Sequence, residues 1–166
     1  RDAVFAESIA LMGERGLSFD LQCNPHQLPD AARTFADYPK TPIIIDHLAS
    51  FHDGEDDDYT QMWRDGLQAI AALPHVYLKL SMLFFCAGAY HEDAARGGKV
   101  RDLVLEAIEI FGTDRCMFAS NYPVDQLQGF DIPTLYGHFV EWTKNLPATG
   151  RAALFHDTAV RAYRID

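Results

Sequence analysis

The sequence predicts an α/β fold in which a parallel sheet is covered by helices, and three observations carry that expectation. Pro42 to Ser50 reads PIIIDHLAS, a run of β-branched residues too continuous for a half-exposed strand and typical of one covered on both faces. Four such strand-like runs alternate strictly with amphipathic helical stretches, the order that builds parallel sheets. Polar residues follow each strand run directly, and in parallel α/β folds ligands bind beyond the carboxyl ends of the strands. Four strands make either a small open sheet or half of an eight-stranded barrel whose other half precedes Arg1.

The elements follow in order. Val4, Phe5, Ile9 and Met12 mark a helix over residues 2–15, stopped at Gly16. Leu17 to Gln22 alternates as a strand, and its tip, CNPHQLP, leads into a helix with Pro29 in its first turn and Leu28, Ala32 and Phe35 on its apolar face. Tyr38 to Pro42 turns into the central strand, at whose tip stand Asp46 and His47. The loop FHDGEDDDY carries Asp53 and four acids from Glu55 to Asp58 without the spacing of a calcium loop, so it reads as a solvated loop whose last acids favour the next helix N-terminus. Trp63, Leu67, Ile70 and Ala71 mark that helix, closed by Pro74. Val76 to Leu83 is the third strand, and Val100, Leu103, Val104, Ala107, Ile108 and Phe111 form the next helix, ended by Gly112. Arg115 to Ser120 is the fourth strand, with NYPVD at its tip. Two helices close the chain, one marked by Leu135, Phe139, Trp142 and Leu146, the other by Ala152, Phe155, Ala159 and Tyr163.

With 166 residues, a single domain is expected. The apolar fraction of 48% and charged fraction of 23% are those of an ordinary globular protein. A formal charge of -10 with no basic patch argues against nucleic-acid or anionic-membrane partners. Cys23, Cys86 and Cys116 are odd in number and widely spaced, which fits a reducing, cytoplasmic setting rather than a disulfide framework or a cysteine zinc site. No signal peptide or membrane-spanning run is expected. The chain starts inside what already reads as a helix, which leads us to expect a missing N-terminal portion.

The segments GLSFDLQCNPHQLPDAA, TPIIIDHLA, VYLKLSML, FGTDRCMFASNYPVD and ALFHDTAVRAYRI, in that order and spacing, resemble the amidohydrolase-related family, in the branch of lactonases and the pyrone-dicarboxylate hydrolase. The resemblance covers essentially the whole chain. It implies a distorted (β/α)8 TIM-type barrel of which this chain is the C-terminal half, strands five to eight. The family's first strand carries a His-x-His pair, which this chain lacks, consistent with strands one to four lying upstream. The resemblance also implies a hydrolase acting on a lactone or related cyclic ester or amide, with a decarboxylase or a non-catalytic ligand-binding half-barrel as alternatives. A half-barrel alone is expected to be inactive and to self-associate through its exposed strand edges.

By the same resemblance, His47 matches a strand-end histidine that contacts metal or the substrate carbonyl, and Asn121 stands where many relatives have a water-activating aspartate. Gln22 and His26 fall where distant relatives place a metal ligand. Asn121 has no basicity. The base is then Asp125, turned inward from the same loop, or a histidine, or the protein binds without hydrolysing; alternatively, Asn121 simply ties down the Tyr122-Pro123 turn. A divalent cation, zinc for instance, would polarise the carbonyl and acidify its bound water, with His47 among the ligands. Without a metal, His47 and cationic groups would stabilise the oxyanion. Lys79 and Ser81 either reach substrate or fill the barrel. His75 is expected at the amino-terminal face, His138 and His156 on helices, and His52 and His91 in loops. Phe51, Phe84, Phe85, Tyr90 and Tyr122 suit a planar, small-molecule substrate or seal the barrel mouth.

Overall fold

The computed structural model describes residues 2–52, 57–129 and 131–165; Asp53 to Asp56 of the acidic loop lie outside it. Helix α1 (Ala3–Glu14) begins at an Asp2 cap whose carboxylate accepts from Val4 N at 2.8 Å. Strand β1 (Phe19–Leu21) follows, then a 3-10 turn (Pro25–Gln27), helix α2 (Leu28–Phe35) and strand β2 (Ile43–Ile45). A single helical turn, α3 (His47–Ser50), leads to α4 (Asp57–Ala71) and β3 (Val76–Leu80). Then come α5 (Ala94–Phe111), β4 (Cys116–Phe118), α6 (Ile132–Trp142), α7 (Ala148–Ala152), a π-helical turn (Ala153–Asp157) and α8 (Thr158–Tyr163).

Among the described residues the three strand pairings are parallel and the spatial order is β1-β2-β3-β4, the order of the sequence. A sheet that never reverses its winding keeps its crossover helices on one face, because parallel crossovers share one hand. That face is the main core: Ile43, Ile45, Val76, Leu78, Leu80, Cys116 and Phe118 pack with Phe35, Trp63, Leu67, Val104 and Phe111. The other face carries Ile44, Tyr77 and Met117, and α8 lays Ala159, Ala162 and Tyr163 against it. Both faces of β2 are therefore buried, as the three consecutive isoleucines require.

Several expectations are adjusted: the fourth strand spans only Cys116–Phe118, and Leu146 lies beyond α6. The first strand spans only Phe19–Leu21, and Leu17 is 52% exposed. The third ends at Leu80, because Met82 takes a φ of 56°, which breaks the extended chain, and a 3-10 turn (Leu83–Phe85) replaces the strand's last residues. The last helix is divided by the π-helical turn. Gly66 is a helical position where a side chain has no room: a Cβ there would lie 2.8 Å from Leu28 Cδ1 and 3.1 Å from the Pro25 carbonyl oxygen. Its absence lets α4 press against the turn that carries His26.

Candidate active site

The carboxyl ends of β2, β3 and β4 each turn through residues with positive φ, and none is glycine. After β2, His47, Leu48, Ala49 and Ser50 have φ of 59°, 52°, 57° and 50°; after β3, Met82 has 56°; after β4, Asn121 has 51°. L-residues disfavour this region by about 1–2 kcal/mol each, Asn least. The His47–Ser50 turn is held by Ala49 N donating to the Asp46 carbonyl at 3.0 Å and Trp63 Nε1 donating to the Leu48 carbonyl at 3.0 Å, while Leu48 and Ala49 are fully buried. Such conformations persist only where the surroundings over-determine them, and they concentrate at functional sites.

The turn brings His47 to Ser81, with Nδ1 2.9 Å from Oγ. Ser81 is 1% exposed and sits one residue beyond β3. Its hydroxyl fixes the ring and leaves Nε2 without a hydrogen bond among the described residues. Burial lowers the His47 pKa; Asp46 and Asp125 push it back up, while Lys79 adds to the lowering. The ring is thus held neutral.

Asp125 is the buried carboxylate of the site, 3% exposed, at the start of a 3-10 turn (Asp125–Gln128). The left-handed Asn121 bends the chain so that its carbonyl accepts from Val124 N at 2.9 Å and its side-chain Nδ2 donates to Asp125 Oδ1 at 2.8 Å. Burial raises the Asp125 pKa, opposed by the Asn121 hydrogen bond and by His47. Asn121 thus ties down the turn and orients the acid at once.

Lys79 faces the inner side of the sheet. Its ammonium lies 2.7 Å from Asp20 Oδ1 and 3.0 Å from Asp46 Oδ1, the latter an ion pair without hydrogen-bond alignment. Burial alone would lower the Lys79 pKa; its contacts with Asp20, Tyr163 and Asp46 outweigh that and hold it above the usual lysine range. Tyr163 donates its hydroxyl to Asp20, and Lys79 Nζ stands 5.2 Å from the centre of the Tyr163 ring. Lys79 is therefore engaged within the protein.

His47, Ser81, Asn121 and Asp125 come together; other expected residues do not join them. Gln22 is exposed just past β1 and His26 is exposed in its 3-10 turn, and neither hydrogen-bonds to the four. Tyr122 is 48% exposed at the rim. Phe51 and Tyr90 are buried and Phe84 packs against the core, so these aromatics seal the strand tips. His75 lies at the amino-terminal end, its Nε2 donating to the Phe35 carbonyl at 3.1 Å, and His138 stacks on Trp142 with centroids 5.4 Å apart. The sequence reading missed Cys23, 7% exposed, whose thiol burial and Asp46 push up to about 11, and it missed Asp20 and Tyr163 as partners of Lys79. Opposite charges at inward positions of β1 and β3, with Ile44 of β2 between them, were the available signal for Asp20.

Among the described residues no three His, Cys, Asp or Glu side chains converge as metal ligands, so these residues do not by themselves fit a divalent cation. No helix among them is long and apolar enough to cross a membrane.

The model of the amidohydrolase family matches residues 1–165. An L-fucono-1,5-lactonase from Burkholderia multivorans is 33% identical, over 99% of this chain and 57% of its own length. The crystal structure of an amidohydrolase from the same organism, with bound zinc, superposes with a TM-score of 0.90 at 30% identity, over 99% of this chain and 58% of that one. A structure from Pseudomonas putida assigned to the 2-pyrone-4,6-dicarboxylic acid hydrolases shares the fold, with a TM-score of 0.78 at 20% identity. The chain spans a little over half the length of these relatives.

Proposed function

Because this chain belongs to the amidohydrolase family, in its lactonase-like branch, we propose that the protein hydrolyses a lactone or related cyclic ester. The observation that carries the proposal is the buried Asp125, held by Asn121 and electrostatically coupled to His47. A strand-end amide cannot take a proton from water, but a buried carboxylate whose pKa burial raises can.

The steps follow from the residues. Ionised Asp125 accepts a proton as water attacks the carbonyl, forming the new C–O bond. If Ser81 donates to Nδ1, then Nε2 carries the ring proton and donates to the tetrahedral oxyanion. Collapse breaks the ring C–O bond, and protonated Asp125 returns its proton to the leaving oxygen, giving a hydroxy acid. The reverse hydrogen bond, Nδ1–H to Ser81, would free Nε2 as a base or as one ligand of an ion whose other ligands lie beyond the described residues. No step above is routed through such an ion.

Residues 1–166 read as one domain, and the four strands as strands five to eight of an eight-stranded barrel; the unreversed winding and the relatives' length support this. The preceding half-barrel would then be the principal partner, and a sugar lactone the first substrate class to assay. The test is ring-opening by the full-length protein on L-fucono-1,5-lactone and other five- and six-membered lactones, with and without added zinc. Acid release that saturates with substrate is expected. Absence of turnover across that panel would overturn the reading.

A further inference from the structure

We propose that Tyr163, through Asp20 and Lys79, is a positioning residue for the strand tip that carries His47. The inference rests on the reading of His47 as a catalytic group. Helix α8 is latched to the amino-terminal side of the sheet at both edges. Ser18 Oγ donates to the Ala162 carbonyl at 2.6 Å, and Arg164 donates to Ser18 Oγ at 3.2 Å. At the other edge Thr158 Oγ1 donates to the Thr113 carbonyl at 3.3 Å, and Arg161 donates to the Asp114 carbonyl.

From that anchored helix Tyr163 reaches the charged groups on the sheet's inner face. The Tyr163 hydroxyl fixes Asp20 of β1, Asp20 fixes the Lys79 ammonium of β3, and the same ammonium holds Asp46 at the end of β2. Asp46 is the residue before His47, and its carbonyl accepts the bond that closes the left-handed turn. Lys79 and Ser81, two apart on β3, thus grip the tip of β2 from below and above: one holds Asp46 and the other His47. A turn of four residues with positive φ opens readily once an anchor is lost, because its local preferences favour other conformations.

The experiment is amide hydrogen exchange on the full-length protein carrying Tyr163→Phe, Asp20→Asn, Lys79→Met or Lys79→Arg. Tyr163→Phe keeps the ring under the ammonium and removes only the hydroxyl, so it leaves the packing intact. Exchange across Asp46 to Phe51 is expected to speed up about tenfold in the first three variants, with α4 and α5 unchanged, and Lys79→Arg is expected to restore most of the protection. If the protein opens lactones, the same variants lower kcat and leave KM within about twofold. Unchanged exchange at residues 46–51 in Tyr163→Phe overturns the proposal, whatever Lys79→Met does. So does a change spread evenly over the sheet, the mark of a global stabiliser. Lack of turnover in the unsubstituted protein would count against the lactonase reading alone; the exchange result decides this one.

Discussion

At Asp125 folding and charge oppose each other. Burial raises its pKa in the folded protein, so folding favours the protonated acid; its stabilising contribution is complete below the unfolded value of about 3.9 and is lost as pH rises through the folded value. At neutral pH the ionised side chain is therefore a liability that the site tolerates. Asp125→Asn keeps an oxygen to accept from Asn121 Nδ2 and removes the charge. This variant should melt about 2–4 °C higher at pH 7, the advantage vanishing below about pH 4, while turnover falls at least about a hundredfold. Calorimetry across pH and an assay on one preparation check both halves; a lower melting temperature at pH 7 would refute the assignment of burial as the dominant effect. His47→Ala should lose about 10²–10⁴ in kcat. Unchanged turnover in that variant would remove His47 from the mechanism.

Among the elements, the single left-handed turn was the least legible in the sequence. His-Leu-Ala-Ser has no residue that prefers positive φ, so nothing local announces it; Trp63, the Asp46 carbonyl, the buried Leu48 and the grip of Lys79 and Ser81 impose it. By contrast β3 could be read directly, because Val76, Leu78 and Leu80 alternate with half-buried Tyr77 and Lys79. Asp125 was legible as an acid in the right loop, and its inward aim depends on Asn121 adopting φ 51°. The Tyr163–Asp20 contact was not, because it joins residues 143 apart. Ser50 offers a test of the turn's strain: its φ is 50° and its hydroxyl oxygen is buried with no hydrogen-bond partner among the described residues. Ser50→Gly removes both penalties and should stabilise the protein by about 1–2 kcal/mol in urea unfolding. At Gly66 the sign reverses. Gly66→Ala places a methyl 2.8 Å from Leu28 Cδ1 and should destabilise by about 1–3 kcal/mol, read the same way, despite alanine's better helix propensity.

For the whole molecule, the balance between the two sheet faces decides how residues 1–166 behave on their own. The helix-side face is sealed by a continuous core, whereas the inner face is covered by one short helix, α8, resting on Ile44 and Met117. Among the described residues, strands β1 and β4 each pair on one side only. Beside β1 stands α1, with Val4 72%, Phe5 40% and Leu11 45% exposed. Unpaired parallel edges flanked by apolar surface recruit further strands. Residues 1–166 produced alone should therefore associate as concentration rises, seen as a growing mass in light scattering coupled to size exclusion. Co-production with a segment that supplies the preceding strands should suppress that growth and yield one species. If the lone chain instead remains monomeric at 18.7 kDa and unfolds in one cooperative step, its edges need no partner, and the half-barrel reading gives way to an independent four-stranded domain.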